Sequence, residues 1–174
     1  MKSDENIVFL GMMGVGKTSI GKLVSKKLKL NFIDTDKYIE DKLKMSISKI
    51  FLEMGESFFR DYEEKITLDI LSKKNLVIAL GGGAFLNKNI REKILKNHIS
   101  FWLNLNNNTL IKRIRINSKR PIANRMTNNK LIELIKKRSN LYSKALYKVN
   151  CDNLRKNEVA NQIINIYETN KVNN

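Results

Sequence analysis

The chain has 174 residues, with 33 Lys+Arg against 17 Asp+Glu, a net charge of +16, 1 Cys and 1 His. That length suits one domain with one sizeable core, and 42% hydrophobic with 29% charged residues is the make-up of a globular chain. A lone Cys151 and a lone His98 exclude a disulfide framework, a multi-Cys zinc site and a His-rich metal centre, and argue against a His-based triad.

Asn6-Ile7-Val8-Phe9-Leu10 is a short apolar run that meets glycine, as a buried strand does. Residues 18–30 carry Ile20, Leu23, Val24 and Leu28 at helical spacing. Asn31-Phe32-Ile33-Asp34 reads as a second strand, 36–44 and 46–54 as two short helices, and 56–73 as a longer one. Leu76-Val77-Ile78-Ala79-Leu80 is a third strand, again running into glycine, and 89–97 is helical. Ile99-Ser100-Phe101-Trp102-Leu103 is a fourth strand, followed by helices over 108–116 and 129–142. Tyr147-Lys148-Val149 is a weak fifth strand, 158–167 the last helix, and 171–174 a tail expected to be disordered. Strands alternating with helices imply an α/β fold, a parallel sheet covered on both faces, with ligands at the carboxyl ends of the strands.

No repeat or interior linker interrupts this pattern. The longest apolar stretch, 7–16, holds three glycines and is shorter than the ~20 residues a bilayer needs. Asp4 and Glu5 precede it where a secretory signal would be basic. The expectation is a cytoplasmic protein without a membrane partner. Lys outnumbers Arg 25 to 8, and Asn (23) and Ile (21) are also abundant, the excess that A/T-rich codons produce. The lysines are dispersed, for example Lys26, Lys27, Lys29, Lys136 and Lys137, rather than gathered on one face. The charge is therefore read as solvated surface and not as a nucleic-acid footprint.

Seven of the eight glycines fall directly after two of the strands: Gly11, Gly14, Gly16 and Gly21, then Gly81, Gly82 and Gly83. Gly11-Met12-Met13-Gly14-Val15-Gly16-Lys17-Thr18 fits G-x-x-x-x-G-K-[ST]. Such a loop wraps phosphates with backbone N–H groups, and the helix behind it aims its positive end at the anion. Lys17 then reaches the β/γ-phosphates and the Thr18 hydroxyl ligates Mg²⁺. Gly21, one turn on, reads as a packing residue.

Asp34 and Asp36 follow the second strand, and in an extended chain they project to the same side. One is placed to hold Mg²⁺ through water and the other to accept a proton from an attacking hydroxyl; alternatively, Asp36 merely caps a helix. The glycine triplet offers bare N–H groups to a small hydroxylated substrate, or makes a tight turn. Arg138 interrupts the apolar stripe Leu131, Leu134, Ile135, Leu141, Tyr142, so it must be paired or face a cleft. Arg60 has Glu63 three residues on, able to orient it. Two such arginines either bind a substrate carboxylate or form structural ion pairs. Arg120, before the only proline, Pro121, either closes over a transferring phosphoryl group or is a solvated loop charge.

Together these residues resemble the shikimate kinase family, a nucleoside-monophosphate-kinase-like branch of P-loop NTPase folds. The resemblance spans about residues 6–167 and rests on 11–18, Asp34-Thr35-Asp36, Gly55-Glu56 with Arg60 and Glu63, Gly81-Gly82-Gly83, Arg120-Pro121, and Arg138 with Tyr142. It implies a three-layer α/β/α domain with a five-stranded parallel sheet, a substrate subdomain at about 34–61 and a mobile lid at about 112–128. It implies transfer of the ATP γ-phosphoryl group to the 3-hydroxyl of shikimate by a monomer. By analogy Asp36 is the base, Lys17 and Arg120 stabilise the phosphoryl group, and Asp34 (through water) and Thr18 serve Mg²⁺. Residues 11–18, Ser19, Arg113 and Arg120 would contact ATP; Asp36, Arg60, Gly82, Gly83 and Arg138 would contact shikimate. The family often has an Arg and a Pro near the last strand, whereas Cys151-Asp152-Asn153-Leu154-Arg155-Lys156 has no proline. The competing readings are another small-molecule kinase, such as a gluconate kinase, and a non-catalytic nucleotide- or RNA-binding protein.

Overall fold

The structure, a computed structural model, describes residues 5–116 and 126–172. Its strands are β1 (Ile7–Leu10), β2 (Asn31–Asp34), β3 (Leu76–Ala79), β4 (Ile99–Asn104) and β5 (Tyr147–Asn150). Its α-helices among the described residues are α1 (Lys17–Leu28), α2 (Thr35–Leu43), α3 (Ile47–Glu53), α4 (Gly55–Ser72), α5 (Lys88–Asn97), α6 (Asn107–Ile116), α7 (Asn128–Tyr142) and α8 (Lys156–Val172). A 3₁₀ turn, Ala84–Leu86, follows the glycine triplet.

The sheet is parallel throughout, in the order β2-β3-β1-β4-β5. β1 is central, and Val8 lies opposite Ile78 on one side and Ser100 on the other. β1 and β3 are buried along their whole length, as strands covered on both faces must be. The edge strands β2 and β5 are partly open and carry polar residues. α4 packs against α5, and α6 against α7. α8 returns to pack on α1. The main core joins both faces of the sheet. A second, smaller cluster (Ile39, Ile50 and Phe59 with Phe51, Phe58 and Tyr62 around them) binds α2, α3 and α4 to one another.

Differences from the expected elements have local causes. α1 stops at Leu28 because Lys29 turns left-handed (φ 54°) and its N–H caps the helix. α8 begins two residues early and runs to Val172, into the segment read as a tail. Asn6 belongs less to a strand than to a clamp. Its side chain accepts from the Leu76 N–H (2.9 Å) and donates to the Lys73 carbonyl (2.7 Å). Its own N–H donates to Nδ1 of His98 (3.3 Å). Burial lowers the pKa of His98, favouring the neutral ring that accepts this bond. The lone histidine is thus part of the sheet's amino-end framework. No helix among the described residues is long and apolar enough to cross a membrane.

Candidate active site

The loop after β1 lies at the carboxyl edge of the central strand, flanked by the ends of β3 and β4. Gly11, Gly14 and Gly16 have φ of 134°, 84° and 106°. Gly11 is doubly constrained: a Cβ there would also lie 2.6 Å from the Leu103 carbonyl oxygen. Gly16 caps α1 with no side-chain hydrogen bond, leaving the helix start suited to an anion. Lys17 Nζ donates to the carbonyls of Gly11 (2.7 Å) and Met12 (3.1 Å), so the ammonium lies across the loop. Met12 and Val15 are buried and anchor the loop in the core. Ser19 follows within the first turn of α1, partly buried. Behind the loop, a Cβ on Gly14 would lie 3.7 Å from the Cβ of Arg113, so α6 packs directly on it. Gly21 is a packing residue, since a Cβ there would meet the Phe32 ring at 2.5 Å.

The acidic pair is arranged differently from an extended segment. Asp34 ends β2 and caps α2, one oxygen accepting from the Lys37 N–H (3.2 Å) and the other from the Thr18 hydroxyl (2.6 Å). It is Asp34, then, and not Asp36, that caps the helix. Asp36 lies within the first turn of α2. Its carboxylate lies beside Gly81, so close that a Cβ on Gly81 would overlap it. Thr35, fully buried between the two acids, ties them to β3: its hydroxyl accepts from the Gly81 N–H (2.8 Å).

Close approach, not backbone conformation, explains the glycine triplet. None of the three has a positive φ. Gly81 makes room for Asp36, and Gly83 for Arg60, whose Nη1 would lie 2.7 Å from an added Cβ. The expectation of bare N–H groups needs correcting at Gly81, whose N–H is taken by Thr35. Gly82 sits between the loop and α7: a Cβ there would be 3.6 Å from both the Met13 N and Arg138 Nη1.

Arg60 is held by Glu63 (2.8 Å) and Glu56 (3.2 Å), with its guanidinium over the rings of Phe59 (5.1 Å) and Phe51 (5.7 Å). Arg138 Nη1 contacts Met12 Sδ (3.9 Å), and its Nε is a buried donor with no hydrogen-bond partner among the described residues. Asp36, Arg60 and Arg138 therefore converge on residues 81–83, next to the loop. Arg120 and Pro121 lie outside the described residues, as does 117–125 of the expected lid. The spacing argument missed two groups: Thr35 and the hydroxyl of Tyr142, which donates to the Gly82 carbonyl. The available signals were a hydroxyl between two acids, and a tyrosine one turn after an arginine on an apolar stripe.

Glu63 is only 3% exposed. Burial pushes its pKa up; Arg60 opposes the rise, Asp36 adds to it and Arg138 opposes it. A carboxyl raised on folding contributes stability that is fully present below its ordinary value, 4.5, and lost as pH climbs through the folded value. Thermal melts of Glu63→Gln beside the parent protein check the sign. The variant's unfolding temperature relative to the parent should rise between pH 4.5 and pH 8. A relative fall would mean that the Arg60 ion pair outweighs the cost of burial.

Hard oxygen donors suit Mg²⁺, which keeps several waters and takes one or two carboxylates beside substrate phosphates. Thr18 Oγ1 and Asp34 Oδ2, at the mouth of the loop, fit that description. No cluster of three or more His, Cys, Asp or Glu side chains among the described residues forms an all-protein metal site.

Residues 13–168 match the family model for shikimate kinase. A shikimate kinase from Thermodesulfovibrio yellowstonii is 41% identical over 165 residues, 94% of this chain and 95% of that one. The solved shikimate kinase from Acinetobacter baumannii in complex with shikimate gives a TM-score of 0.91 at 31% identity, over 98% of this chain and 96% of that one. A gluconokinase from Sinorhizobium meliloti gives 0.53 at 13% identity over 97% and 99%, a likeness of fold alone.

Proposed function

The chain belongs to the shikimate kinase family, and from that premise we propose that Asp36, Arg60 and Arg138 hold shikimate against the glycine turn while the loop after β1 holds ATP. The single observation that carries the reading is the convergence of one carboxylate and two guanidinium groups on residues 81–83 beside that loop. Arginine pairs carboxylates through parallel N–H bonds, so the two guanidinium groups suit the acid of a hydroxylated ring. The half-buried guanidinium of Arg138, with Nη1 beside Gly82, is a donor for that acid.

On this reading the family's reaction runs as follows on these residues. The 3-hydroxyl oxygen of shikimate bonds to the γ-phosphorus as the bond from phosphorus to the bridging oxygen breaks. ADP leaves, and the hydroxyl proton passes to the Asp36 carboxylate. Lys17 and the loop N–H groups offset charge on the phosphates. Thr18 and, through water, Asp34 would hold Mg²⁺, which when bound neutralises phosphate charge. Ser19, Arg113 and Arg120 belong to the nucleotide side of this reading, and Gly82 and Gly83 to the shikimate side. The substrate subdomain is 34–61, cemented by the small cluster around Ile39, Ile50 and Phe59, and the lid is 112–128. The enzyme works as a cytoplasmic monomer.

A coupled ADP-release assay with shikimate and gluconate side by side tests the reading. Shikimate-dependent turnover is expected, with gluconate inert. In the same assay Arg138→Ala should raise KM for shikimate by about tenfold or more, the scale of a lost charged hydrogen bond, with KM for ATP nearly unchanged. Gluconate turnover exceeding that of shikimate would replace the acceptor. Equal effects on both KM values would remove the carboxylate contact.

A further inference from the structure

Tyr142 ends α7 and is 1% exposed, one of the largest fully buried side chains. Its ring packs against Phe85 and Trp102, both with centroids 6.3 Å away. Packing explains the ring but not the hydroxyl, which donates to the carbonyl of Gly82. The preceding residue, Gly81, is held through its N–H. Thr35 Oγ1 accepts from the Gly81 N–H (2.8 Å) and contacts the Ala79 carbonyl (3.5 Å). Two successive residues of the turn are thus tied to two different helices. One is α2, which carries Asp36; the other is α7, which carries Arg138 one turn before Tyr142.

We propose that Tyr142 and Thr35 are a pair of positioning residues: by fixing the Gly82 carbonyl and the Gly81 N–H they set the spacing between Arg138 and Asp36, and so the seat of the acceptor substrate. Asp36, Gly81 and Gly82 leave no slack for a looser arrangement, since a Cβ on Gly81 would overlap Asp36. The phenol stays a donor across the working pH range. Burial raises its pKa to about 12, and the Arg138 charge and hydrogen bond only partly offset that rise. The acceptor's carboxylate and its reacting hydroxyl would be gripped at opposite ends of this turn. A shift in the turn therefore misaligns one end while the nucleotide loop stays intact.

The inference rests on the proposed function, and the experiment separates the two. Tyr142→Phe keeps the ring and removes only the hydroxyl. In the ADP-release assay, kcat/KM for shikimate should fall by about tenfold, with KM for ATP within about twofold of the parent enzyme. Thr35→Val should show the same acceptor-selective loss, and Thr35→Ser, which keeps the hydroxyl, should restore most of it. The Thr35 pair keeps the test open should Tyr142→Phe fail to fold. A KM for ATP that shifts as far as that for shikimate, an unchanged kcat/KM for shikimate, or a Thr35→Ser variant no better than Thr35→Val overturns the positioning role. A parent enzyme without shikimate-dependent ADP release overturns the function itself, and the inference with it.

Discussion

Lys17→Ala should lower kcat by about a thousandfold, the upper end of what one well-placed donor contributes to a charged transition state. Lys17 Nζ bridges the carbonyls of Gly11 and Met12 at 2.7 and 3.1 Å, so the ammonium is fixed over the loop before it meets phosphate. Fixed charge needs no reorganisation as the γ-phosphoryl group transfers, and that is where its value lies. The fold should survive the change. Gly11 and Gly16 keep their left-handed conformations, and Met12 and Val15 keep their seats in the core, whatever stands at 17. Steady-state ADP release gives the rate, and a thermal melt within a few degrees of the parent shows that the fold is intact. Near-normal turnover in a folded variant would remove the loop from catalysis.

The fold was legible because its signals are local and redundant. β1 and β3 are continuous apolar runs ending in glycine, and such runs have few alternatives to a buried parallel strand. Strand ends shifted by a residue where a side chain took over the work of the backbone, as at Asn6. Residues of the site were legible one at a time, but their geometry was not. Treating Asp34 and Asp36 as neighbours on an extended chain assigned them a shared direction. The cap at Asp34 starts α2 in between, and only the tertiary fold brings Asp36 to Gly81.

The triplet teaches the same point more sharply. Glycine in sequence announces either a free φ or a close approach, and nothing local separates the two. At Gly81 and Gly83 the reason is what lies opposite, Asp36 and Arg60, which come from elements before β3. Thr35 and the Tyr142 hydroxyl share this property. Each serves a partner more than 40 residues away, so spacing and periodicity could mark them but not name that partner.

Asp36→Asn should cut kcat by about a hundred- to ten-thousandfold, the range for losing a positioned proton acceptor, while shikimate binding is only weakened. The amide matches the carboxylate in size, which matters because Gly81 leaves no room beside it. It cannot take up the proton of the attacking hydroxyl. Arg60, still braced by Glu63 and Glu56, and Arg138, still against Met12, would on the proposed reading continue to hold the acid of the substrate. Loss of the negative charge also relieves Glu63, whose carboxyl Asp36 now helps to disfavour as an anion. That relief works in favour of the variant's stability near neutral pH. Binding by calorimetry, turnover by ADP release and stability by melting separate these effects. A folded variant that binds shikimate and turns over within twofold of the parent would mean the proton leaves by another route, with Asp36 only orienting the hydroxyl.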